Sequence, residues 1–255
     1  MENKSKINQL LRQWSRNAVY LTSWLDKKGY SSQLLNRYKK SNWITSIGSG
    51  AVIRTGDTPV IEGALFALQE QADSTIHPGG KTALTLLGKA HYLELSAQHY
   101  TLFGTASEKL PGWMLNYHWS VKPDYHCSSF LPPQTGLIEK EINGFTLKVS
   151  GAARAMMECL YLTPNKQDIV ECYELMEGLN NLRPKLLQEL LEACSSVKVK
   201  RLFLYLATKA GHSWLELLDR DRIDLGSGKR QLVEHGVYVP EFKITVPKTL
   251  ENGAL

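Results

Sequence analysis

The chain has no long apolar run and little cysteine. No stretch of its 255 residues approaches the roughly 18 consecutive apolar side chains that a membrane-spanning helix needs. The opening residues, MENKSKINQLLRQW, carry charges of both signs and lack the apolar block of a signal peptide. The four cysteines (Cys127, Cys159, Cys172, Cys194) are widely spaced without a C-x-x-C pair, which favours reduced thiols over disulfides or a zinc site. We therefore expect a cytoplasmic protein with no membrane partner, no metal and no other cofactor.

Complete catalytic and nucleotide-binding motifs are also absent from the sequence. The segment His77-Pro78-Gly79-Gly80-Lys81-Thr82 ends like a phosphate-binding loop, but Thr75 stands where that motif requires glycine, and a helix rather than a strand is predicted before it. The simpler interpretation is that Pro78-Gly79-Gly80 ends one helix and that residues 81–87 begin the next. Gly226-Ser227-Gly228-Lys229 fails as well, because Arg230 replaces the required Ser or Thr. With no nucleophile elbow either, the sequence predicts no catalytic residue and no enzyme.

Positive charge is concentrated at the start of the chain. Residues 1–56 hold ten basic side chains against Glu2 and Asp26, a net charge of +8, whereas the remaining residues hold 20 basic and 23 acidic side chains. A basic N-terminal region on a mildly acidic remainder indicates a polyanion as the partner of the N-terminal region alone. Small basic domains without such a partner also exist. Charge alone therefore does not establish that this region binds a polyanion, and the predicted fold of the region is needed as well.

Residues 22–54 follow the order helix, turn, helix and hairpin, after an amphipathic first helix. We expect Thr22 to cap the first helix of this segment, and Ser31 or Ser32 to cap the second. Two short apolar runs on either side of Gly48-Ser49-Gly50 then predict a tight hairpin. This order is that of a winged helix-turn-helix, whose second helix enters the major groove of DNA.

Polar side chains on the second helix and the hairpin predict the contacts with double-stranded DNA. The amides of Gln33 and Asn36 can pair with adenine edges, and the guanidinium of Arg37 can pair with guanine. Two lysines near the end of the helix suit phosphates, and the arginine of the hairpin suits the DNA backbone or the minor groove. The predicted DNA-binding residues are Ser32, Gln33, Asn36, Arg37, Lys39, Lys40 and Arg54.

The rest of the chain predicts an α+β arrangement. After a turn at residues 55–59, a helix is expected with Ile61, Leu65 and Leu68 on its buried side. Short alternating runs then predict strands, and Asn143-Gly144 between two of them is a strong hairpin signal. After Ser150, four amphipathic helices are expected to pack as antiparallel neighbours. The predicted strands are 99–103, 113–115, 119–121, 137–142, 145–149, 223–225, 232–233, 237–239 and 242–246.

The fold class that these patterns predict is α+β. It consists of an N-terminal winged helix-turn-helix followed by a larger mixed domain with a small antiparallel sheet and a helical layer. We divide the chain into a head (residues 1–57), a helical connector (58–95) and a body (96–255).

Lys198, Lys200 and Arg201 form a second basic group, on one predicted helix of the body. Charged runs on helices usually form a solvated face, and that is the expected role here. The alternative is a second DNA contact, in which the body binds phosphates beyond the site contacted by the head.

Three stretches resemble the AbiEi antitoxin family of type IV toxin–antitoxin systems. They are residues 77–84 (HPGGKTAL) with 87–92 (LGKAHY), the end of the winged helix at 43–50, and residues 224–230 (DLGSGKR) with Tyr238 and 244–247. The resemblance implies a transcriptional repressor that binds inverted repeats in its own promoter. It also implies an antitoxin for a nucleotidyltransferase-like toxin encoded beside it, with the antitoxin role in the body. It implies no catalytic residue and leaves the role of residues 77–82 open.

Two other functions remain open at this point. The first is a protein-binding inhibitor that neutralises its toxin by direct contact, with DNA binding secondary. The second is a stand-alone winged-helix transcription factor without a toxin. The sequence itself specifies neither the operator nor the oligomeric state.

Overall fold

The computed structural model describes residues 6–90 and 99–251. His91 and Tyr92, which belong to one of the family-like stretches, lie outside the described residues.

The head is a winged helix-turn-helix, as predicted. Its sheet is antiparallel in the order β1-β3-β2, with Leu21 opposite Ala51 and Ile44 opposite Arg54. We call the hairpin β2–β3 the wing, and only Ser49 and Gly50 separate its strands. The elements are α1 (Lys6–Gln13), β1 (Tyr20–Leu21), α2 (Thr22–Lys27), α3 (Ser32–Lys40), β2 (Ile44–Gly48) and β3 (Ala51–Arg54).

One of the two predicted helix caps in the head is confirmed and the other is wrong. Ser31 precedes α3, and its hydroxyl accepts a hydrogen bond from the Leu34 amide. Thr22 does not cap α2, because β1 runs directly into that helix and Leu21 takes the cap position. The Thr22 amide instead donates to the Gly50 carbonyl at 2.9 Å, as the Thr22 hydroxyl does at 3.4 Å. The tip of the wing is therefore held against the start of α2.

The connector contains a short strand that the sequence did not predict. Its helix α4 ends at Ala72, and Asp73 follows in the left-handed conformation (φ 50°). The prediction that Pro78-Gly79-Gly80 ends this helix is therefore wrong, because His77 and Pro78 already pair with a strand of the body. The elements are α4 (Ile61–Ala72), β4 (His77–Pro78) and α5 (Gly80–Leu86).

The body contains small sheets and four packed helices, which confirms the α+β class. Parallel pairing joins β5 to β6 in the sheet β4-β5-β6, and β9 to β11 in the sheet β10-β11-β9. The predicted Asn143-Gly144 hairpin is β7–β8. The elements are β5 (His99–Gly104), α6 (Gly112–Asn116), β6 (Lys122–Cys127), β7 (Leu137–Ile142), β8 (Phe145–Ser150), α7 (Ala152–Leu162), α8 (Ile169–Glu177), α9 (Pro184–Ala193), α10 (Val197–Lys209), β9 (Arg230–Gln231), β10 (Val237–Val239), β11 (Ile244–Val246) and α11 (Lys248–Glu251).

Four of the predicted strands are wrong. Residues 113–115 form α6 instead, which starts after Pro111. Trp113 and Met114 are both buried, and consecutive side chains can share one side of a helix but not of a strand. Residues 119–121, 223–225 and 232–233 form turns and irregular segments.

Two glutamines of α4 connect the head to the hairpin of the body. The Gln71 side chain accepts from the Leu21 amide at 2.8 Å and donates to the Val19 carbonyl at 3.2 Å. The Gln69 side chain accepts from the Lys148 amide at 2.9 Å and donates to the carbonyl of the same residue at 3.0 Å. Each glutamine side chain thus makes hydrogen bonds to a backbone N–H group and a backbone C=O group, as a neighbouring strand would.

The buried apolar side chains form two clusters. One surrounds α7 to α10 and the C-terminal strands. The other joins the head to α4, α6, β5 and β8, so Leu25 of α2 and Met114 of α6 belong to the same core. Among the helices described, none is both long and apolar enough to cross a membrane.

Candidate nucleic-acid interface

The outer face of α3 is polar and mostly exposed. Leu35 and Tyr38 anchor the helix in the core of the head. Of the predicted DNA-binding residues, Lys39 is half-buried and the others are exposed. Within the part of the chain that the structure describes, the amide and cationic side chains among them make no hydrogen bond or ion pair. These side chains are Gln33, Asn36, Arg37, Lys39, Lys40 and Arg54.

This face combines the chemistry of base recognition and phosphate binding. Unpaired amide and guanidinium groups near the middle of a helix can form bidentate hydrogen bonds with base edges. The three cations of α3 lie toward its C-terminal end, as Arg37, Lys39 and Lys40. Phosphate contacts from such side chains fix the position of a protein on the duplex.

The wing is short and is held from both sides. On one side, its tip accepts the two hydrogen bonds from Thr22. On the other side, Gly48 lies against α6, and a Cβ atom added to Gly48 would meet the Trp113 Cβ at 2.7 Å. Gly48 also has a φ of 152°, which favours glycine. A larger residue at this position would therefore push the wing away from α6.

The start of the family-like stretch, at His77, Gly79 and Gly80, lies against a buried carboxylate, that of Glu158. One carboxylate oxygen lies 3.3 Å from the His77 Nε2 and accepts from the Arg154 Nε at 2.9 Å. The other oxygen accepts from the Gly80 amide at 2.9 Å and from the Ser150 hydroxyl at 2.7 Å. Burial raises the pKa of Glu158, but the hydrogen bond and charge of His77, with the Arg154 charge and the Gly80 amide, hold that pKa below its ordinary value.

The remaining residues of this stretch also make internal contacts. A Cβ atom on Gly79 would lie 2.4 Å from a Glu158 carboxylate oxygen, so only glycine fits there. Lys81 forms an ion pair with Glu171, and the Thr82 hydroxyl accepts from the Thr101 amide at 2.8 Å. The stretch therefore joins α5 to the sheet and to α7, a role that the sequence had left open.

Sequence reasoning missed Glu158 and Arg154, the two charges at the centre of this cluster. A signal was present, because they stand four residues apart in the otherwise apolar sequence of α7, AARAMMECLYL. Opposite charges at this spacing are neighbours on one helix face, and charges in a buried helix are usually paired.

The predicted solvated face at Lys198, Lys200 and Arg201 is wrong. Lys200 and Arg201 are only 3% and 1% exposed, because α10 lies in the centre of the body. Lys198 donates to the Tyr161 and Thr163 carbonyls at 2.7 and 2.6 Å. This burial also removes the basis for a second DNA contact at these residues.

Arg201 shapes the third family-like stretch. Its guanidinium donates at 2.5 to 3.2 Å to four backbone carbonyls, those of Leu225, Gly226, Gly228 and Lys243. Three of these carbonyls belong to residues 224–230. Backbone carbonyl dipoles thus accept the hydrogen bonds of this buried cation.

Comparisons with known proteins agree with the resemblance of the three stretches. Residues 3–95 match the family described as "Transcriptional regulator, AbiEi antitoxin N-terminal domain". Residues 97–247 match that described as "Transcriptional regulator, AbiEi antitoxin, Type IV TA system". The chain belongs to the AbiEi antitoxin family. Among curated proteins, none matches the chain significantly.

A solved structure supports the fold of this AbiEi-family chain. The RV2827C protein from Mycobacterium tuberculosis is similar to it with a TM-score of 0.59 at 12% sequence identity. The similarity covers 94% of this chain and 89% of the mycobacterial one, so it extends over the head, the connector and the body.

Proposed function

We propose that this chain is a DNA-binding autorepressor that recognises inverted repeats in its own promoter. The observation that supports this most directly is the mostly exposed polar face of α3 in a winged helix-turn-helix, whose amides and cations make no hydrogen bond or ion pair within the described part of the chain. In this proposal α3 enters the major groove, with Ser32, Gln33, Asn36 and Arg37 toward the base edges. Lys39, Lys40 and Arg54 bind phosphates.

We also propose that the body acts as the antitoxin of a nucleotidyltransferase-like toxin encoded beside it. Membership of the AbiEi family supports this role. The structure is compatible with DNA binding by the head and toxin neutralisation by the body, because α7 to α10 pack around a hydrophobic core separate from that of the head. Both roles place the protein in the cytoplasm, where its promoter and its toxin are found.

The test of the DNA-binding role is titration of the full chain with the DNA immediately upstream of its gene, beside shuffled DNA of equal length. The Arg37→Ala/Lys39→Ala/Lys40→Ala variant removes three cations of α3. We expect tight binding of the wild type to the upstream DNA alone. We expect the variant to lose that preference and to show a salt slope reduced by about 2 to 3, since each phosphate contact contributes about 0.9.

A matched control removes the same charge elsewhere. Arg183, Lys185 and Lys248 are exposed cations of the body, and their joint replacement by alanine should leave binding nearly unchanged. Equal weak binding of the wild type to both DNAs would refute the proposal, because it would mean that the basic head binds polyanions without sequence preference.

A further inference from the structure

Helix α6 belongs to the body in sequence but to the head in packing. Its Trp113 lies against Gly48 at the end of β2, which is the edge strand of the winged sheet. Trp113 and Met114 are buried in the core that also contains Leu25 and Ile44 of the head. The contact is therefore backbone against backbone and leaves α6 little freedom to move relative to the wing.

The segments on both sides of α6 are fixed as well. The Trp119 indole nitrogen donates to the Met114 carbonyl at 2.8 Å, which folds the following turn back onto the helix. The Tyr125 hydroxyl donates to the Glu108 carbonyl at 3.0 Å, which ties the preceding loop to β6. Leu110 and Val121 pack into the core that the wing shares.

The exposed surface of this segment suits a polyanion. Residues 109–123 contain no aspartate or glutamate, whereas the body as a whole holds as many acidic as basic side chains. Lys109 and Lys122 are exposed beside the anchored Leu110 and Val121. Three further polar side chains along the segment are exposed, and these are Asn116, His118 and Ser120.

We propose that residues 109–122 extend the short wing and bind the phosphate backbone of the operator next to the groove that the wing enters. This inference rests on the proposed function, since it assigns a second contact to the same DNA. A wing with a tip of only Ser49 and Gly50 offers little surface of its own. Because α6 is already fixed by the shared core, its contacts require little ordering of the chain on binding.

The test is the salt dependence of operator binding by a Lys109→Ala/Lys122→Ala variant of the full chain. We expect the slope of log affinity against log salt to fall by about 2. The affinity at about 0.1 M salt should fall by tens of times, and the difference from wild type should vanish near 1 M. In a hydroxyl-radical footprint, protection of the phosphates flanking the wing contact should be lost while the major-groove protection remains.

The matched control is Arg183→Ala/Lys185→Ala, which also removes two exposed cations from the body and should keep the wild-type slope and footprint. Wild-type slope and footprint in the Lys109→Ala/Lys122→Ala variant would overturn the inference. If the Arg37→Ala/Lys39→Ala/Lys40→Ala variant had lost operator binding in the same experiment, the proposed function would still stand. A wild type that does not prefer its upstream DNA would refute both.

Discussion

Two short basic segments of this chain are similar in sequence but differ in exposure, one lying at the surface and the other in the core. Arg37-Tyr38-Lys39-Lys40 ends α3, and Lys198-Val199-Lys200-Arg201 begins α10. The cations of α3 project from a helix that is covered on one side only, and they make no internal hydrogen bond or ion pair with the described residues. In α10, Arg201 is buried and satisfied by four carbonyls.

The difference shows that the position of a helix in the fold decides what its cations can do. A helix at the surface of a small domain leaves its cations hydrated and available to a ligand. A helix in the centre of a larger core has to pair its cations internally, since an unpaired buried charge costs several kcal/mol. The same contrast separates the exposed amides of Gln33 and Asn36 from the buried residues around Glu158.

The largest effect should follow from changing the buried cluster itself. Glu158→Gln removes the charge that faces His77 and Arg154 and leaves Arg154 without a carboxylate. We expect the free energy of unfolding to fall by about 3–5 kcal/mol, measured by denaturant unfolding. Glu171→Gln is the control, because its ion pair with Lys81 is partly exposed and should contribute no more than ~1 kcal/mol. Equal small losses in both variants would contradict the assignment of Glu158 as a structural centre.

A smaller effect should distinguish the two basic segments directly. Arg201→Met leaves the carbonyls of residues 225, 226 and 228 without their donor, and we expect a loss of about 2–3 kcal/mol. The same substitution at Arg37 should change stability by no more than about 0.5 kcal/mol, because that side chain is exposed and makes no hydrogen bond or ion pair with the described residues. Thermal unfolding of the two variants side by side measures the difference. Comparable losses at both positions would mean that the two segments do not differ as described.

A similarly small effect on stability should come from the variant with the largest effect on DNA binding. The free energy of unfolding of Arg37→Ala/Lys39→Ala/Lys40→Ala should lie within about 1 kcal/mol of the wild-type value, because Arg37 and Lys40 are exposed and Lys39 is only half-buried. When it is co-expressed with the neighbouring toxin, it should still restore growth, since the body is unchanged. A variant that folds but no longer protects the cell would show that the antitoxin role depends on the head.

Much of the fold was predictable because it depends on local signals. The order of helix, turn, helix and hairpin follows from caps and glycines, and the Asn143-Gly144 turn defines its hairpin. The periodicity that predicted α7 to α10 is a property of short segments as well. The strand prediction failed at residues 113–115, where the pattern is short and the core of the head determines the conformation.

Local sequence patterns were enough to predict the winged helix and the polar face of α3, because periodicity, capping and local charge act over a few residues. Which charged side chains are exposed and which are buried depends on the packing of the whole chain. This packing buried Lys200 and Arg201, placed Glu158 against residues 77–80, and brought α6 of the body against the wing of the head. Contacts between residues distant along the chain depend on how the elements pack, and no local pattern encodes that packing.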